Sequence, residues 1–254
     1  MNKNFRNNLK RHLKLLGIKK KSNIVVYSNL SSFGIFSKKL PELVLNTLLN
    51  TIGNKGSLIM PTYSLGTPKK YIFDLNKIVD TANISMLSKI FFERKKIYRS
   101  LSPIHNHIGI GPNSKFLLKT NQKGSFGLNS DFYFMNKLNY KLILLGCTPL
   151  EGATYLHHLE VVAEVPYRKW IKIKKKIRKE NKIKTIYVDY YARISKKKAN
   201  YNEFFELIKN RKAKIKEAKL KLGSSLSINF KELHKYGLAS LKENKFSFVK
   251  NRII

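Results

Sequence analysis

Apolar residues recur at helical spacing at Phe5, Leu9, Leu13 and Leu16, which predicts a helix over 1–17. The pattern then changes. SNIVVYS is a short β-branched run that reads as a buried strand, and the Ser/Gly-rich turn NLSSFG follows it. Leu40, Leu43, Val44, Thr47 and Leu48 mark one face of a helix from Lys39 to Ile52, after which GSLIMPTYS is a second buried strand. Further helices are expected from Ser85 to Arg94, Ser114 to Thr120 and Asp131 to Leu138, with SLSPIHNHIGIGP a loop or short strand between them. KLILLGC is a third buried strand, and a helix from Thr154 to Glu164 begins beyond its far end. Period-two alternation through Ile171, Ile173 and Ile177, answered by KTIYVDYYARI, predicts a β-hairpin over 165–199 at the sheet edge. Residues 200–222 read as a Lys-rich helix, followed by a short helix and a strand, FSFV. Strand, turn, helix and strand in this order predict a three-layer α/β/α fold with a mostly parallel or mixed central sheet and the added hairpin. Without an internal repeat or long linker, the expectation is one domain over 1–254, with the hairpin as its embellishment.

Charge adds a question. The 254 residues carry 51 Lys+Arg against 15 Asp+Glu, a formal net charge of +36. Clustered basic residues bind phosphates, so a non-enzymatic protein for RNA or an anionic surface is one reading. Only nine of the basic residues are Arg, the residue whose fork holds phosphate and reads guanine. The Lys/Asn/Ile skew instead suggests coding in AT-rich DNA with charge spread over the surface, and no specific nucleic-acid partner is expected. The single cysteine, Cys147, excludes an internal disulfide and a cysteine-cluster metal site. No apolar run approaches the roughly 20 residues that cross a bilayer, and the basic N-terminus lacks a long apolar core and a cleavage site, so a soluble cytoplasmic protein is expected.

Ligand sites in open α/β sheets lie at the carboxyl ends of strands. Three such ends carry small or polar residues here: Ser28–Gly34, Thr62–Ser64 and Gly146–Thr154. Backbone N–H groups in such loops suit a phosphate or a developing oxyanion. In TYLHHLEVVAE, His157 and Glu160 stand three apart and share a helix face, whereas His158 leaves about 100° away. Three of the 15 acids, Glu151, Glu160 and Glu164, fall within fourteen positions here. Spacing alone fits two readings: a general base with its orienting carboxylate, or an ion pair on a solvated helix. His105 and His107 share one face of an extended segment but lack a third zinc ligand, and HHLE is not HExxH; no metal site is expected. Cys147 at a buried strand end reads as an inert thiol rather than a nucleophile. No P-loop, no GxGxxG after the first strand and no GxSxG is present.

Taken together, these segments resemble the aminoglycoside 3-N-acetyltransferases. VYSNLSSFG is similar to that family's His-Ser-Ser-Leu-x-x-x-Gly loop, and GSLIMPTYS to its Gly-Thr-Leu-x-Met-Pro-Thr-Phe strand. RSLSPIHNHIGIGP resembles its Arg-Ser-x-His-Pro-x-His-Ser segment, SFGLNS its Pro-Phe-Gly-x-x-Ser, and LILLGCTPLEGATYLHHLEVVAEVPYR its Thr-Ser-Leu-His-Leu-Ala-Glu…Val-Pro-Tyr stretch. The likeness runs over about 20–245 and is dense from 23 to 168. It implies a catalytic His157 with Glu160 as its HxxE carboxylate, and His105 as the second histidine of His-Pro-x-His. Ser102 stands for the first of those histidines, and Tyr27 for another usual one. It implies coenzyme contacts at Ser28, Leu30, Ser31, Ser32, Phe33, Gly34, Thr62 and Ser64. The activity implied is transfer of an acetyl group from acetyl-CoA, as cosubstrate, to an amine of an aminoglycoside or amino sugar in a ternary complex, without a metal. Its partners are then coenzyme A and an amine-bearing small molecule.

Overall fold

The computed structural model describes residues 3–68, 70–79, 84–179 and 182–250. The chain opens with α1 (Lys3–Leu15), β1 (Asn23–Ser28), a 3-10 turn (Leu30–Phe33), α2 (Leu40–Ile52) and β2 (Ser57–Pro61). There follow β3 (Ile72–Phe73), α3 (Met86–Phe92), β4 (Tyr98–Arg99), β5 (His107–Ile110), a 3-10 stretch (Pro112–Lys119), α4 (Asp131–Lys137) and β6 (Lys141–Leu145). A one-turn α5 (Pro149–Gly152) leads into α6 (Tyr155–Val162), then β7 (Arg168–Lys179), β8 (Lys182–Arg193) and β9 (Lys198–Ala199). The last elements are α7 (Tyr201–Asn210), β10 (Lys216–Leu220), β11 (Gly223–Asn229), α8 (Phe230–Glu243) and β12 (Val249–Lys250).

The central sheet runs β10-β11-β6-β1-β2-β5-β4. Its middle strands β6, β1 and β2 are parallel and the flanking strands antiparallel, so the sheet is mixed. Alternate side chains of the middle strands enter two separate cores. Val25, Tyr27, Ile59, Leu142 and Leu144 pack with α4, α6, α7 and α8, whereas Ile24, Val26, Leu58, Met60, Ile143 and Leu145 pack with α1, α2 and α3. Burial of both faces explains why β1, β2 and β6 read as continuous apolar runs.

Several sequence expectations change. Residues 200–222 are not one helix. The helix stops at Asn210, Lys212 takes a left-handed φ of 64°, and Lys216–Leu220 pairs antiparallel with β11. Ala218 and Leu220 enter the core while Lys216, Glu217 and Lys219 stay exposed, the period of a strand. The 165–199 hairpin exists as β7 and β8, with Arg168 opposite Arg193, but it belongs to a separate sheet β3-β7-β8 rather than to the edge of the central one. Its turn at 180–181, like the ends of the expected 1–254 domain, lies outside the described residues. The closing strand is Val249–Lys250, paired to β9, and Phe246 belongs to the turn before it; α8, expected short, is 14 residues long. The helix expected over Ser114–Thr120 is a 3-10 stretch, Pro112–Lys119, that Thr120 ends in extended backbone. No helix among the described residues is long and apolar enough to cross a membrane.

Candidate active site

The acids near His157 divide by position. Glu151 closes a capping box on α5: its Oε2 accepts from the Thr148 backbone N–H at 2.6 Å and from the Thr148 hydroxyl at 2.8 Å. Glu164 is exposed, beyond the end of α6. Glu160 is fully buried on the same face of α6 as His157. Its Oε2 lies 2.6 Å from His157 Nδ1, and its Oε1 accepts from the Tyr167 hydroxyl at 3.0 Å. Arg168 completes the carboxylate's surroundings, with Nε 2.7 Å from Oε2, an ion pair lacking hydrogen-bond alignment. An ionised carboxylate only accepts, so the Nδ1 proton belongs to the His157–Glu160 bond and Nε2 is left with a lone pair. Tyr201 and Arg168 crowd the same Nδ1 at 3.0 and 2.9 Å and fix the ring.

Electrostatics keep this imidazole neutral. Burial lowers the His157 pKa below the usual histidine value; Glu160 opposes that effect, and Arg168 and Arg193 reinforce it. For Glu160, burial pushes the carboxyl upward, but His157, Arg168 and the Tyr167 hydroxyl outweigh it and the net shift is down. A neutral base oriented by an ionised carboxylate is the arrangement that accepts a proton from an attacking amine.

Phe126 packs against both His105 and His157, its ring centroid 4.8 Å from the first and 5.8 Å from the second. His105 is buried, its Nδ1 has no hydrogen-bond partner among the described residues, and burial together with His157, His107 and Arg168 holds its pKa well below the ordinary value. The neighbour the sequence left unassigned, His107, forms a second dyad: its Nδ1 is 2.6 Å from Asp131 Oδ2, both side chains being buried. Nothing in the spacing links 107 to 131; the fold alone brings the start of α4 against β5. Tyr63 and Tyr201 carry no distinguishing signal in the sequence, and Tyr167 and Arg168 stand in the VPYR stretch without one. His158 is structural: it is buried, its Nδ1 accepts from the Gly127 N–H at 3.2 Å, and burial, aided by His234, lowers its pKa to about 3.

The first loop makes a cleft. β1 ends at Ser28, and the 3-10 turn closes on Gly34, whose φ of 66° lets its N–H reach the Ser31 carbonyl. A cleft of about 440 Å³ opens here, lined by Ser28, Leu30 and Ser31 and, from other elements, by Ser85, Met86 and Cys147. The other residues expected at the coenzyme play different parts. The Ser32 hydroxyl donates to the Asn29 carbonyl at 2.8 Å, and Phe33 is buried in the core. Thr62 and Ser64 are fully buried, each hydrogen-bonded to the Asn106 side chain, at 2.6 and 3.0 Å. Arg99 donates to Oδ1 of the same Asn106 at 2.9 Å, so Thr62 and Ser64 belong to a buried polar network at the end of β2. The Cys147 thiol donates to the Tyr27 carbonyl at 3.5 Å, and burial, with Glu151 nearby, pushes it up to about 12, so no thiolate nucleophile forms at neutral pH. Among the described residues no group of His, Cys, Asp and Glu side chains could hold a metal ion.

Known proteins share this architecture. A curated relative, aminoglycoside N(3)-acetyltransferase III of Acinetobacter baumannii, is 29% identical over 87 residues, a stretch covering 34% of this chain and 30% of the relative. Among solved structures, a mutant of aminoglycoside acetyltransferase AAC(3)-IVa in complex with gentamicin superposes with a TM-score of 0.80 at 19% identity, covering 97% of this chain and 91% of the other. AAC-IIIb, solved as a binary complex with CoASH, gives 0.78 at 16% identity, covering 94% and 96%. These structures establish a common fold. The family model for aminoglycoside 3-N-acetyltransferases matches residues 25–242. By that match, which takes in the first loop, both histidine dyads and the HxxE helix, the chain belongs to the aminoglycoside 3-N-acetyltransferase family.

Proposed function

We propose that the protein transfers the acetyl group of acetyl-CoA to a primary amine of an aminoglycoside or amino sugar, directly within a ternary complex, with His157 as general base. The observation that carries this reading is the buried Glu160 held 2.6 Å from His157 Nδ1, which leaves Nε2 free to take a proton. Family membership supports the chemistry. The amine lone pair attacks the thioester carbonyl carbon, and its N–H proton passes to His157 Nε2. Glu160 stabilises the imidazolium that results. The C–S bond then breaks, and the thiolate leaves with the proton that His157 returns. Acceptor amines must bind uncharged at nitrogen, since an ammonium has no lone pair. Ser28, Leu30 and Ser31 offer hydroxyl groups and apolar surface to the coenzyme, and backbone N–H groups in such a loop suit its phosphates. No step needs a metal ion.

With an aminoglycoside as acceptor the role is antibiotic resistance, and a cytoplasmic setting follows because acetyl-CoA is an intracellular cosubstrate. A non-enzymatic RNA- or surface-binding role leaves the buried His157–Glu160 pair without a purpose. Incubating the protein with acetyl-CoA and a panel of amines, kanamycin-type antibiotics and amino sugars included, and following thiol release tests the proposal. Release that depends on the amine and disappears in His157→Ala is the expected result; salt-sensitive RNA binding without any thiol release would replace the enzyme reading with the other.

A further inference from the structure

The β7–β8 hairpin turns one face outward. Alternate residues of a strand share a face, and so do residues directly opposite across an antiparallel pair. The register therefore places Trp170, Lys172, Lys174, Lys176 and Arg178 of β7 on one face together with Asp189 and Tyr187 of β8. The other face packs inward, where Ile177 and Val188 are buried and the Tyr190 ring stacks on His105. On the outward face Trp170 is 49% exposed and Tyr187 59% exposed, and the four cations are exposed as well.

Successive cations in this row stand about 6.8 Å apart, two residues of a strand. Carboxylates answer the row only in part. Asp189 lies 3.2 Å from Lys172 Nζ, and Asp74 lies 3.2 Å from Arg178 Nε. Lys174 and Lys176 have no carboxylate partner among the described residues. Tyr187, directly opposite Lys174, has neither a hydrogen bond nor a ring contact among them. Trp170 rests on Tyr191 with centroids 4.8 Å apart, about 13 Å along β7 from the Lys174–Tyr187 pair. The face is thus a row of point charges with two flat apolar rings set into it. Helix α1 is basic too, but its exposed positions mix Lys and Arg with Asn4, Asn7 and Asn8 and hold no aromatic ring.

We propose that this face binds single-stranded nucleic acid without preference for sequence, with Lys172, Lys174, Lys176 and Arg178 on successive phosphates and unpaired bases stacked on Tyr187 and Trp170. The cations attract any polyanion, and the rings select among polyanions. A base has a flat π face that stacks on an aromatic ring, whereas a polyphosphate has none. In a duplex the base faces are covered by their neighbours, so a single strand is the form that reaches both rings. A membrane surface would need the apolar contacts gathered in one stripe, and here cations separate them. Stacking tolerates every base, so the expectation of no specific nucleic-acid partner stands. The inference does not rest on the acetyl-transfer reading, because none of these side chains belongs to the His157 site.

Trp170 is the chain's single tryptophan, so its fluorescence reports on this face directly. A short oligouridylate is expected to quench it on binding, with an affinity that falls as salt rises, whereas inorganic polyphosphate is expected to bind without quenching. Tyr187→Leu should weaken oligouridylate about tenfold and leave the salt slope unchanged, because it removes a ring and no charge. Lys174→Gln combined with Lys176→Gln should reduce the slope of log K against log salt by about 1.4, or about 0.7 for each phosphate contact. The same loss of charge on α1, Lys10→Gln with Lys14→Gln, should change neither quenching nor slope. All the replaced side chains are exposed, so each variant should melt as the wild type does. Oligouridylate that leaves Trp170 unquenched, polyphosphate that quenches it equally, Tyr187→Leu that binds as the wild type does, or an α1 pair that costs as much as the hairpin pair overturns the assignment and leaves a diffuse field in its place. Phosphatidylserine vesicles that shift Trp170 emission to the blue while oligouridylate does not bind overturn it in favour of a membrane contact. Thiol release with acetyl-CoA and an amine should be the same in all three variants, so this inference and the acetyl-transfer reading fail separately.

Discussion

At the scale of single residues, His157 and Cys147 differ in what surrounds them. His157→Ala should lower kcat by about 10²-fold or more and leave coenzyme A affinity in place, as titration calorimetry alongside turnover would read. His158→Ala should leave chemistry far less affected, because that ring faces Gly127 and the core. Cys147→Ser should hold activity within about tenfold, since a thiol raised to about 12 supplies no thiolate. An acetylated Cys147 trapped during turnover would instead mark a ping-pong route. The buried histidines also set a pH limit. The folded pKa of His158 is lowered to about 3, from an unfolded value near 6.5, so between those values the unfolded chain binds a proton that the folded chain refuses. Stability is therefore full above about pH 6.5 and falls as the pH drops, by up to about 1.4 kcal/mol per unit for this one group. Urea melts at pH 7.5 and 5 should show this loss, and His158→Phe should flatten it.

At the scale of elements, the first loop depends on two neighbours that lack a side chain. A Cβ on Gly146, at the end of β6, would lie 2.5 Å from the Asn29 carbonyl oxygen, and its φ of 71° also resists one. A Cβ on Gly223, where β11 begins, would lie 2.4 Å from a Phe33 ring carbon. Both press on the 3-10 turn from below. Gly223→Ala is thus expected to displace Ser31 and Leu30, raising KM for acetyl-CoA about tenfold with a smaller change in kcat; Gly146→Ala, which meets backbone, should cost stability as well. Thermal melts with and without coenzyme A, together with KM, check both. Equal KM in Gly223→Ala and wild type would detach this loop from coenzyme binding.

At the scale of the molecule, the net charge of +36 bears on the acceptor. Many acids that remain are already neutralised: Glu42 by Arg94, Asp74 by Arg178, Asp189 by Lys172, Glu217 by Lys209, Glu243 by Arg211, and Glu160 by Arg168 beside the base itself. Such a field repels polycations and attracts anions over about 10 Å at 0.1 M salt. An amino group on a neutral or anionic carrier, such as a nucleotide-linked amino sugar, is expected to show higher kcat/KM than a kanamycin-type antibiotic, with the gap narrowing as salt rises. Higher efficiency on the antibiotic at low salt would show that local carboxylates dominate.

The apolar runs of β1, β2 and β6 and the spacing of α1, α2 and α6 are local properties, so the layered α/β architecture and the shared face of His157 and Glu160 were legible along the chain. Alternation also marked β7 and β8 as a hairpin. Lys216–Leu220 was less legible, because basic residues obscure its period until Ala218 and Leu220 find the core. The fold buried Glu160 against His157, sent Glu151 to a helix cap and joined Thr62 and Ser64 to Asn106. It alone joined His107 to Asp131 and Tyr27 to Tyr63, pairs separated by 24 and 36 positions. Such contacts arise from strand order and helix packing across the sheet, and no period along the chain encodes them.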